Sequence, residues 1–120
     1  MLRLGRGFNR ESIRRSLERE EPLTVTYTDV LEESDIREAV LGIRDAGSPK
    51  STLPILAWLA SHPNTPKDIL ADLGAHGSRE ILLSLALNPR LPSDLMDFLV
   101  NHEDPEVRDH ANHVLSRRKA

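Results

Sequence analysis

The side chains of this chain with the most chemistry to offer are histidines near its C-terminus and arginines near its N-terminus. His110 and His113 lie three apart, with His102 just upstream. Glu106 or Asp109 could add a carboxylate to them. A zinc site needs three or four such donors converging on one point. The spacing makes His102, His110 and His113 weak candidate metal ligands and, with those carboxylates, a third-ranked reading as a small metal-binding or enzymatic protein. The plainer account is that His62 aligns with Asn88 at a turn and His113 lies on a solvated helix surface, so no metal and no cofactor is expected. There is no cysteine. That removes thiolate catalysis, disulfides and every cysteine-held zinc or iron–sulfur site. No glycine-rich phosphate loop, nucleophile elbow or His-Glu metalloprotease motif is present. The chain is therefore expected not to be an enzyme.

The arginines offer a second chemistry, phosphate binding. Arg3, Arg6, Arg10 and Arg14 follow roughly helical spacing and could form one basic stripe. Binding through such a stripe would be sensitive to salt and blind to sequence. Against it stands the net charge of −3. The charge is also unevenly placed. Residues 1–20 carry six arginines against three glutamates, and residues 21–47 carry seven carboxylates against Arg37 and Arg44. Mutual neutralisation within the monomer is the plainer expectation, and nucleic-acid binding ranks second. Aromatic residues make up only 3%, too few for a platform that stacks bases. No apolar run approaches a membrane span, and no segment resembles a signal peptide. A cytoplasmic protein without membrane contact is expected.

These residues must be positioned by helices. Pro63 and Pro89 are 26 apart, and the same offset superposes Pro66 on Pro92, Asp68 on Asp94, Leu59 on Leu85 and Leu73 on Leu99. A second shift carries Ile81 onto Val107 and Leu85 onto Ala111. Repetition at fixed period signals stacked supersecondary units. Ile55, Leu56, Leu59 and Ala60 have the spacing of one helix face. His62-Pro63-Asn64 breaks that helix. Thr65 is predicted to cap the next, with Pro66 in its first position. Ile69, Leu70 and Leu73 form its apolar face, and Gly74 and Gly77 end it. Ser78 is predicted to cap a third helix bearing Ile81, Leu82, Leu85 and Ala86. A fourth carries Leu95, Met96 and Leu99. Asp104-Pro105 opens a last helix with Val107, Ala111, Val114 and Leu115, more polar than its counterparts and suited to cap a stack.

The units Ser61-His62-Pro63-Asn64-Thr65-Pro66 and Leu87-Asn88-Pro89-Arg90-Leu91-Pro92, each followed by closely spaced leucine-type residues, resemble the leucine-rich repeat variant. Asp104-Pro105-Glu106-Val107-Arg108 is similar to the opening of HEAT-type repeats. The resemblance covers residues 54 to about 118 and implies an all-α fold, a short right-handed α-solenoid of helical pairs. One type of leucine-rich repeat variant carries a cysteine-bound iron–sulfur cluster, which a chain without cysteine does not share.

Residues 51–120 thus read as the repeat region and residues 1–50 as an N-terminal segment, in one compact domain. Asn9 can cap a helix from Arg10 to about Glu20. Leu23, Val25 and Tyr27 alternate with threonines, the period of a strand. It lacks an evident partner. It is expected to pack as an extended segment, or to pair with its copy in a second chain or with a partner's strand. Asp35 to about Ala46 is a helix with Ile36, Ala39, Val40 and Ile43 inward. An open stack end and a lone strand both invite self-association, so a homodimer is a further expectation. Two residues depart from the repeat. Trp58 shares a column with Ser84 and His110, and Phe98 stands where the preceding unit has Asp72. An aromatic at a polar position is an interface anchor or an end cap. The leading expectation is a non-catalytic adaptor, scaffold or regulatory subunit that binds a protein through Trp58, Phe98 and the arginine arm.

Overall fold

In the computed structural model, residues 2–4, 9–21, 23–25 and 31–119 are described. Their order is β1 (Leu2–Leu4), α1 (Arg10–Glu18), β2 (Leu23–Val25), α2 (Glu33–Asp45), a 3-10 turn (Lys50–Thr52), α3 (Leu53–Ser61), α4 (Lys67–His76), α5 (Arg79–Ala86), α6 (Ser93–Val100) and α7 (Pro105–Lys119). The architecture is all-helical apart from one three-residue strand pair. β1 and β2 run parallel, Leu2 opposite Leu23 and Leu4 opposite Val25. The strand expected to lack a partner within the chain therefore has one. The crossover through α1 supplies the connection that parallel pairing demands. This also removes one of the two reasons for expecting a dimer. Tyr27 lies outside the described residues.

The local signals explain most helix boundaries. Asn9 is extended, and its Oδ1 accepts the Ser12 N–H at 2.8 Å. α2 starts two residues earlier than Asp35, because Glu32 and Asp35 form a reciprocal capping box. In it the Glu32 N–H donates to Asp35 Oδ2 at 3.0 Å. Gly47 (φ 82°) and Ser48 (φ 49°) then turn the chain through the left-handed region, which stops the helix. Three expectations are corrected. Thr65 does not cap α4. Its hydroxyl donates to the Leu59 carbonyl, satisfying the end of the helix before it. Pro66 sits one position earlier than predicted, as the cap itself, and Pro92 holds the same place before α6. Gly74 lies inside α4, which runs on to His76. Ser78 does occupy the cap position of α5, without a side-chain bond to the helix amides.

α3, α5 and α7 each begin 26 residues after the last, and so does α6 after α4. α3 packs on α5, and α5 on α7, while α4 and α6 pack beside them. One core runs continuously from Ile13 and Leu17 in α1, through Ile36, Val40 and Ile43 in α2, to Val107 and Ala111 in α7. Fully burying an Ile or Leu side chain contributes about 1.5–3 kcal/mol. An exposed ion pair contributes about 0–1 kcal/mol, so the aliphatic core sets the stability. Ile55, at the start of α3, is buried as well. α2 is fastened to α4 by Arg37–Asp68 at 2.9 Å and Arg44–Asp72 at 2.5 Å, and Asn64 Nδ2 donates to the Leu31 carbonyl at 2.9 Å. No helix among the described residues is long and apolar enough to cross a membrane.

Candidate functional site

The histidines separate into different jobs. His62 follows α3, and its ring Nδ1 accepts the Asn64 N–H at 3.1 Å. His102 follows α6, and its Nδ1 accepts the Asp104 N–H at 3.0 Å. Asn88 follows α5, and its Oδ1 accepts the Arg90 N–H at 2.8 Å. Histidine Nδ1 and asparagine Oδ1 are both bonded to Cγ, so either can close the same tight turn. Burial lowers the pKa of His62, because the charged ring would lose water without gaining a counterion. His110 is half-buried on α7, where its Nε2 has no hydrogen-bond partner among the described residues. His113 is exposed. Among the described residues no group of three or more His, Asp or Glu side chains converges as a metal site.

The arginine stripe is corrected. Arg3 belongs to β1, not to the helix of Arg10 and Arg14, and Arg6 lies outside the described residues. Arg10 grips Asp45 of α2 with two nitrogens, Nη2 to Oδ1 at 2.8 Å, and its backbone N–H donates to Glu38 at 3.2 Å. Arg14 lies between Glu11 and Glu18, the latter at 2.7 Å. The guanidinium of Arg10 holds the Asp45 carboxyl below its usual range, chiefly through their hydrogen bond. Arg10 is matched by a carboxylate on α2, as the charge blocks suggested, and Arg14 by two carboxylates one turn away on α1.

Trp58 is half-buried and packed on the core, its ring meeting His62 edge-on at 5.5 Å. Its column partners Ser84 and His110 are half-buried too. All three positions of this column are therefore partly covered.

Phe98 stands differently. Among the described residues the large apolar side chains left exposed are Leu87, at 55%, and Phe98, at 45%. Phe98 meets His102 edge-on with centroids 5.5 Å apart. It lies in a depression of about 480 Å³ rimmed by Asp94, Asp97, Asn101 and Glu103. None of those three carboxylates has an ion-pair partner among the described residues. An exposed aromatic among carboxylates gives a partner both an anchor and an orientation.

A second concavity, which no motif in the sequence announced, holds about 390 Å³ between the end of α2, the Lys50–Thr52 turn and the start of α5. Leu53, Leu56, Leu73 and Ile81 form its walls, with Arg44 and Lys50 its only charged lining among the described residues. It arises where the N-terminal segment meets the repeats, so only the packing of distant segments creates it. No protein-family model, curated protein or solved structure matches this chain.

Proposed function

We propose that residues 53–119 are a short α-solenoid of the HEAT or leucine-rich-repeat-variant kind, and that the chain is a non-catalytic protein-interaction module. The 26-residue spacing of helix starts supports the first part, together with the stacking of α3, α5 and α7. The observation carrying the second is Phe98: an aromatic at the place of a charge, nearly half exposed, in an acid-rimmed depression. Solenoids bind through surfaces built from equivalent positions of successive repeats. A residue that breaks such a column without serving the core is where recognition is expected.

The test compares quantitative affinity purification on wild-type protein and Phe98→Ala, with both checked for equal thermal stability. A protein partner retained by the wild type and lost by the variant is the expected result. Identical partner sets for the two would overturn the assignment of this face.

A further inference from the structure

We propose that the α6 face around Phe98 holds a basic amphipathic helix of a partner protein, as α4 is held by α2 within the chain. This rests on the interaction-module reading and adds the chemistry of the partner.

The internal precedent comes from the 26-residue offset. Asp68 and Asp72, one turn apart on α4, receive Arg37 and Arg44 of α2. The same positions of α6 are Asp94 and Phe98. One carboxylate is kept, and the other is exchanged for an aromatic ring. On α4 an arginine-bearing helix from the same chain occupies both positions. On α6 the corresponding face is open, and Asp94 has no ion-pair partner among the described residues.

The exchange says what the occupant needs. Arg37 and Arg44 are seven residues apart, two turns of α2 on one side. An occupant of α6 in the same pose places an arginine or lysine at Asp94. Two turns further on it places an apolar side chain, or an arginine stacked on the ring, against Phe98. Asp97 and Glu103, also without an ion-pair partner among the described residues, favour further cations on its flanks and disfavour an acidic helix. α2 itself cannot fill this place in a second molecule without releasing α4, because its arginines are already engaged.

The test uses a fluorescein-labelled peptide of about 18 residues, with leucines at helical spacing and arginines seven apart, and its counterpart with glutamate for every arginine. Binding to the full chain is followed by fluorescence anisotropy. The arginine peptide is expected to bind saturably and more weakly as salt rises. Phe98→Ala and the double variant Asp94→Asn/Asp97→Asn should each weaken it about fivefold or more. Phe98, Asp94 and Asp97 are exposed, so the variants are expected to fold, and circular dichroism checks this. Equal binding of the two peptides, no saturable binding of the arginine peptide, or binding that Phe98→Ala leaves unchanged would each overturn the proposal. If Phe98→Ala abolishes capture of a native partner while the arginine peptide does not bind, the module reading survives and the basic helix falls. If capture is unaffected by Phe98→Ala, the module reading of this face fails as well.

Discussion

Asn88 is fully buried and ties the turn after α5 to the end of α3. Its Nδ2 donates to the carbonyls of Ala60 and His62, each at 2.9 Å, and its Oδ1 accepts the Arg90 N–H at 2.8 Å. The two carbonyls end α3 and begin the turn after it, where the last acceptors of a helix have no intrahelical donor. Asn88→Ala removes all three bonds. A typical hydrogen bond contributes about 0.5–1.5 kcal/mol net, and a buried group left unpaired costs about 1–3 kcal/mol. Three bonds together set the expected loss at about 3 kcal/mol. For a chain of this size that lowers Tm by roughly 10 °C. Urea unfolding followed by circular dichroism measures the difference, with an unchanged m-value showing that the folded state stays compact. Asn88→Asp separates the two halves of the network. It keeps the turn acceptor but points a carboxylate at two carbonyls, so it should destabilise at least as much as alanine at neutral pH and recover on acidification. A loss below about 1 kcal/mol for Asn88→Ala, or equal loss for alanine and aspartate at every pH, would refute the assignment of these bonds as the link between the ends of α3 and α5.

Two glycines should respond in opposite directions. A Cβ on Gly42 would stand 2.7 Å from the Arg10 carbonyl oxygen and 2.8 Å from Ile13 Cβ, so Gly42→Ala should force α1 and α2 apart at about 1–3 kcal/mol. A Cβ on Gly74 meets nothing closer than 3.6 Å inside α4, so Gly74→Ala should be neutral or stabilise by up to about 1 kcal/mol; urea midpoints of the two variants decide this. His62 supplies a pH dependence. Its folded pKa lies below the ordinary histidine value, so below about pH 6.5 the unfolded chain binds more protons, and stability falls with pH until the folded ring titrates too. His62→Asn, which keeps the turn acceptor as Asn88 does, should flatten the stability profile between pH 7 and 5; an unchanged slope would place the titration elsewhere.

The period of the helices was legible because each boundary is local. Proline spacing, capping residues and three-to-four apolar spacing act within a few residues of themselves, and Ile55, Leu59, Ile81, Leu85 and Val107 are buried as their spacing predicts. Capping was less legible, since a hydroxyl such as that of Thr65 can serve the helix behind it as well as the one ahead. The strand at Leu23 was visible from its alternation. Its partner Leu2-Arg3-Leu4 shows the same alternation over only three residues, too short to stand out. The arginines were misjudged for a different reason. Spacing along the chain shows which residues share a face, but Asp45 meets Arg10 only because α1 and α2 pack together around Gly42. Trp58 and Phe98 both broke the repeat pattern, and the sequence marked both without distinguishing them. That distinction belongs to the tertiary structure. Trp58, Ser84 and His110 are all half-buried, while α2 reaches α4 and leaves the equivalent face of α6 open. Local residue types determine where helices begin, end and turn, whereas pairing between segments far apart in sequence decides which surfaces remain for a partner.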